Sequence, residues 1–87
     1  MRLTQHRQFE KKLLKLPKPL KIALTKRLEL FVEDSRNPLL RDHALTGDRD
    51  GQRSINVTGD LRLIYQRIDA ETILLLDLDT HHNLYGS

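Results

Sequence analysis

The chain has 87 residues, a formal net charge of +3, 31% charged and 38% hydrophobic residues, and no cysteine. That length holds one domain with one modest core, so residues 1–87 are expected to fold as a unit, and the lack of thiols excludes a disulfide framework and a thiolate metal site. No apolar run approaches the ~18 residues of a membrane span, and the opening MRLTQHRQFEKKLLKLP is charged where a secretory signal is apolar, so the expectation is a cytoplasmic protein with no membrane partner.

In chain order, Arg2 to Thr4 form a candidate edge strand. Phe9, Leu13 and Leu16 then recur at spacings of four and three, which predicts a short helix from about Arg7 to Leu16 with Lys11, Lys12 and Lys15 off its apolar stripe. Pro17 and Pro19 interrupt, and Leu20, Ala23, Leu24, Leu28 and Phe31 mark the apolar face of a second helix from about Pro19 to Asp34. From Leu45 the period shortens to two. Ile55 and Val57 alternate with Ser54 and Asn56, LRLIYQRI is β-branched and aromatic, and TILLLDLD reads as a mostly buried strand. The turns are TGDRDG before Gln52 and TGD at Thr58 to Asp60, where Gly59 is expected to supply a positive φ. Helices first and strands after imply an α+β domain, with an N-terminal helical hairpin packed on one face of a small antiparallel sheet. The other face is expected to stay open and to carry Asn56, which points away from Ile55 and Val57.

Charge is unevenly spread: residues 1–27 carry a balance of +8 and residues 28–87 one of −5. Such a basic block attracts phosphate chains through counterion release, or an acidic protein segment, and it also occurs on solvated helix faces. It does not imply sequence-specific recognition.

Three stretches carry a family resemblance: DHALTG at Asp42 to Gly47, SINVTGDLRLIY at Ser54 to Tyr65, and THHNLYG at Thr80 to Gly86. After two Lys-rich helices they resemble the RelE superfamily of bacterial toxins, and within it the YafQ-type mRNA interferases, over essentially the whole chain. The resemblance implies a toxin of a type II toxin–antitoxin system that enters the ribosomal A site and cuts messenger RNA there. It also implies a cognate antitoxin that wraps the toxin in a hetero-oligomer. Carried over by position, the family's catalytic places fall on His43, Asp60, His81 and Tyr85. Where relatives can carry a further histidine, this chain has Asn56, an amide that can hold a phosphate or a ribose hydroxyl but cannot shuttle a proton near neutral pH.

RNA cleavage without metal or cofactor needs a base for the 2′-hydroxyl proton, an acid for the leaving 5′-oxygen, and cations for the phosphorane. Histidine titrates in the range where either transfer is possible. His81 is the expected acid. Asp60 is expected to be the base or to orient His43, and the sequence leaves open which of the two takes the proton. Arg53 and Arg62 are the expected phosphate clamps, because a guanidinium fork matches phosphate oxygens. Lys11, Lys12 and Lys15 supply further RNA contacts, and Tyr85 can stack on a base. Each residue also has a plainer reading: His43 and His82 as surface residues, Asp60 as a side-chain cap of the hairpin turn, and Tyr65 and Tyr85 as core anchors. Asp77, Asp79 and His81 share a strand face but offer only one nitrogen ligand, and DRDG at Asp48 to Gly51 lacks the rest of a calcium loop, so no metal site is expected. Two other functions use the same scaffold: a ParE-like toxin that inhibits DNA gyrase by binding, which does not require His43 and His81, and a non-catalytic RNA- or antitoxin-binding module, which Asn56 favours.

Overall fold

A computed structural model of the chain describes residues 1–80. Strand β1 (Arg2–Gln5) opens the chain, followed by helices α1 (Arg7–Lys15) and α2 (Lys18–Glu33) and strands β2 (His43–Ala44), β3 (Arg53–Asn56), β4 (Leu61–Arg67) and β5 (Thr72–Thr80). The strands form one sheet in the order β1-β5-β4-β3-β2. β2 to β5 pair antiparallel, but β1 lies parallel to β5, with Arg2 opposite Thr72 and Gln5 opposite Leu75. The sheet is therefore mixed rather than antiparallel throughout. The helical hairpin reverses the chain after β1, and the final strand returns beside its start in the same direction.

The helices form where the apolar spacing places them. Phe9 of α1 and Leu24 and Phe31 of α2 are buried, and Leu13, Leu16, Leu20, Ala23 and Leu28 pack against the same core. The His6 side chain caps α1, its Nδ1 accepting from the Gln8 amide at 3.0 Å. Pro17 and Pro19 separate the helices and seat the first turn of α2, where a missing N–H costs nothing. On the sheet, Ile55, Val57, Leu61, Leu63, Tyr65, Ile73, Leu75 and Leu78 face the helices. Tyr65 is buried against Phe31, with ring centroids 5.0 Å apart and planes tilted by 60°, a favourable aromatic arrangement.

β1 covers only the first half of β5. The chain leaves it where the His6 amide donates to the Leu75 carbonyl, and α1 packs against β5 from there. A bulge lies where Ile64 and Tyr65 meet Asp77 and Leu75, leaving Leu76 without a register partner.

The sheet's second face is open over only part of its area. Ile64 belongs to it by alternation yet is completely buried, and Arg49 reaches across it from the β2–β3 connection to donate to Asp77 of β5 at 2.7 Å. Lys12 of α1 approaches the same carboxylate at 3.0 Å. Asp77 is thus held by two cations from distant parts of the sequence.

The β3–β4 hairpin departs from expectation at Gly59, whose φ is not positive. Among the described glycines only Gly47 (φ 67°) and Gly51 (φ 88°), both in the β2–β3 connection, adopt that conformation. The hairpin instead runs through four residues between Asn56 and Leu61 and is closed by Thr58, whose Oγ1 accepts from the amides of Asp60 (3.3 Å) and Leu61 (3.0 Å). A hydroxyl cap does here what a left-handed glycine does in a tighter turn.

Candidate functional site

Strand register decides which of the expected residues meet. His43 is opposite Ser54, Ser54 opposite Ile64, and Ile64 opposite Asp77; one step along, Asn56 is opposite Arg62 and Arg62 opposite Asp79. Directly opposed residues share a face, so His43, Asn56 and Arg62 project together from the side away from the hydrophobic core. Asp60 sits at the exposed tip of the hairpin that carries Asn56 and Arg62, and its carboxylate makes no hydrogen bond or ion pair among the described residues. Its capping role is filled by Thr58. His81 and Tyr85, and with them His82, lie outside the described residues.

Asn56 is engaged differently from a free phosphate ligand. Its Oδ1 accepts a hydrogen bond from Arg62 Nη1, and the same Nη1 donates to the Thr58 carbonyl at 3.0 Å. The amide thus aims the guanidinium. His43 is exposed at the edge strand, with Nδ1 2.8 Å from the Arg41 carbonyl, a contact that fixes the ring through one nitrogen.

Arg53 does not join Arg62. It is opposite Tyr65, on the helix side, and its Nε donates to Asp42 Oδ1 at 2.9 Å. The carboxylate raises the Arg53 pKa, chiefly through that hydrogen bond, and Asp42 also accepts from the Tyr65 hydroxyl. Burial, followed by the bond to Asp42, pushes the Tyr65 hydroxyl well above the ordinary phenol range. The separation of the two arginines was readable in advance: Arg53 has the parity of Ile55 and Val57, so it follows them to the core side.

Of the three lysines on α1, Lys11 and Lys15 are exposed and four residues apart, whereas Lys12 is tied to Asp77. Ser54 was not singled out by sequence. It is completely buried beside His43 in register, and its hydroxyl has no hydrogen-bond partner among the described residues. The described residues contain no group of three or more side chains able to hold a metal, and among them no helix is long and apolar enough to cross a membrane.

The fold has known counterparts. The fold is similar to that of YafQ from E. coli, with a TM-score of 0.76 at 23% identity, covering 99% of this chain and 100% of that one. It is similar also to a chain of the E. coli DinJ-YafQ toxin–antitoxin complex, with a TM-score of 0.72 at 24% identity, covering 97% of this chain and 96% of that one. A chain of the RelBE2 toxin–antitoxin complex from Mycobacterium tuberculosis matches with a TM-score of 0.65 at 26% identity, covering 92% of this chain and 96% of that one. No curated protein sequence matches the chain. The family model for the bacterial toxin of type II toxin–antitoxin system, YafQ, matches residues 1–86. With the fold and the whole-length match in agreement, the chain belongs to the YafQ family, the toxins of type II toxin–antitoxin systems.

Proposed function

We propose that this toxin is an endoribonuclease that cuts translated messenger RNA on the ribosome without a metal ion. The observation that carries the reading is the register of β2, β3 and β4, which presents His43, Asn56 and Arg62 on one sheet face beside the exposed Asp60. A ribose 2′-oxygen there attacks the adjacent phosphorus while His43 or Asp60 takes its proton. The bond from phosphorus to the 5′-oxygen breaks, and His81 protonates the leaving oxygen. The products are a 2′,3′-cyclic phosphate and a 5′-hydroxyl. Arg62, aimed by Asn56 and the Thr58 carbonyl, meets the charge that builds on the phosphorane, where a preorganised cation is most effective. Tyr85 stacks on a neighbouring base, and Lys11 and Lys15 add long-range attraction for the RNA backbone. In this scheme Lys12 and Arg53 act mainly through Asp77 and Asp42.

A domain of this size has little surface for both selecting and positioning a messenger, which is the reason for assigning positioning to the ribosome A site in the cytoplasm. Its silencing partner is an antitoxin, as in the DinJ-YafQ and RelBE2 complexes, with an acidic, partly helical segment laid across the basic helices or the sheet face. The test is growth on induction of wild type, His43→Ala and His81→Ala at matched protein levels. Arrest by wild type and growth with His81→Ala support a nuclease. Arrest that persists in both variants points instead to a toxin that works by binding, as in the gyrase-inhibitor alternative.

A further inference from the structure

Between the C-terminal end of α2 and edge strand β2 lies a cavity of about 320 Å³ whose lining includes Arg36, Arg41 and Arg53, with Asp42 the one acid among the described residues around it. Both oxygens of Asp42 are occupied, Oδ1 by Arg53 Nε and Oδ2 by the Tyr65 hydroxyl. The neighbouring Asp34 accepts from Asn37 Nδ2 at 3.3 Å and does not line the cavity. Arg36 and Arg41 make no ion pair among the described residues. One carboxylate is therefore set against three guanidiniums.

Arg41 is also the one non-glycine residue with a positive φ among those described, at φ 48° and ψ 44°. That conformation closes the 3-10 turn Pro38–Leu40, with the Arg41 amide donating to the Pro38 carbonyl, and glycine would adopt it more readily than arginine does. The Arg41 carbonyl contacts His43 Nδ1 at 2.8 Å. From there the chain alternates: Asp42 turns to the helix side with Arg53 and Tyr65, and His43 to the sheet face with Ser54. The cavity and the proposed cleavage face are thus two sides of one short edge strand.

We infer that this cavity binds a phosphodiester group of single-stranded RNA next to the one held at the sheet face. The strand crosses the β2 edge, leaving one phosphate near Arg62 and His43 and a following one between Arg36 and Arg41. A phosphate suits the site because guanidiniums line it and a phosphate needs no apolar anchor, whereas a docked peptide segment draws its affinity from such anchors and Pro38 is the one apolar residue among the described residues of the lining. The identity of the ligand rests on the RNA-cleavage reading; the presence of the arginines around the cavity does not.

The experiment is fluorescence anisotropy of a labelled 2′-O-methyl oligoribonucleotide, which cannot be cut through its 2′-oxygen, over a series of KCl concentrations. Arg36→Gln combined with Arg41→Asn removes both charges while leaving a residue that tolerates the left-handed backbone. Binding should weaken on the order of 10- to 100-fold, as expected for one or two lost charged contacts, and the salt slope should flatten by about 0.7, the value for one single-strand phosphate. Arg67→Gln, an exposed arginine away from the cavity, should leave the slope unchanged. Equal affinity and slope in the double variant overturn the inference, as does equal flattening by Arg67→Gln. With labelled polyglutamate as a second probe of the same variants, loss of its binding with RNA binding intact also overturns the inference, and assigns the cavity to an acidic protein segment. Because the probe is not cleaved, failure of messenger cleavage on ribosomes would strike the proposed reaction without touching this result.

Discussion

If Asn56 works by aiming Arg62, removing it should cost little once Arg62 is gone. In Asn56→Ala the guanidinium loses the Asn56 Oδ1 acceptor but keeps the Thr58 carbonyl at 3.0 Å. A hydrogen bond to a charged group contributes roughly 1.5–3 kcal/mol, and the surviving acceptor argues for the lower end, about 1.5 kcal/mol or tenfold in single-turnover rate. Arg62→Ala removes the cation itself and should cost about 10²–10³-fold, as for loss of a preorganised donor at a developing oxyanion. The double variant should then be no slower than Arg62→Ala alone, giving a coupling energy about equal to the Asn56→Ala effect. The assay is single-turnover cleavage of a defined messenger on programmed ribosomes, with circular dichroism confirming the fold of each variant. Additive effects of the two substitutions would refute the reasoning, because Asn56 would then touch the reaction without Arg62.

Tyr65→Phe keeps the ring packed on Phe31 but removes the hydroxyl bound to Asp42, and should lower stability at pH 7 by about 1–2 kcal/mol in urea unfolding. Its raised pKa means that the folded chain keeps a proton the unfolded chain loses above about pH 10, so wild-type stability should fall as pH rises past 10, and Tyr65→Phe should remove most of that slope. Asp77→Asn leaves Lys12 and Arg49 facing each other across a neutral amide. Since both cations are about one-third exposed and can turn to water, the expected loss is about 1–3 kcal/mol rather than the full cost of breaking a buried pair, measured by the shift in urea midpoint. Gly51→Ala should cost about 1 kcal/mol because of its positive φ, while Gly59→Ala, with an ordinary φ and open space at its Cβ, should be nearly neutral in the same assay.

The helices and the core were legible because spacing alone marks a buried stripe: Phe9, Leu13 and Leu16 in α1, and Leu20 to Phe31 in α2, fall where the three- and four-residue rhythm puts them. The direction of β1 was not, since its partner β5 comes only after two helices and three further strands, and no local pattern records where those deliver the chain. β2, with two residues, is too short to show a period. The site was half readable. Parity along β3 and β4 places Asn56 and Arg62 away from the core, and the same parity removes Arg53 from their company. The bonds of Asn56 to Arg62 and of Asp42 to Tyr65, and the ion cluster at Asp77, join side chains from 6 to 65 positions apart. Composition shows only that charges are available for such contacts. Sequence likewise marked Gly59 as the turn residue because glycine tolerates a positive φ, whereas Thr58 closes the hairpin through its hydroxyl.

The most direct measurement is primer extension on a messenger engaged by ribosomes, with the new 3′ ends tested for a 2′,3′-cyclic phosphate. Wild-type toxin should cut within the ribosome-bound codon and leave cyclic phosphate ends, the same messenger without ribosomes should survive, and His81→Ala should slow the cut by ~10²–10⁴-fold, as for loss of a general acid. Intact messenger on ribosomes treated with a toxin preparation that still arrests growth would contradict the assignment.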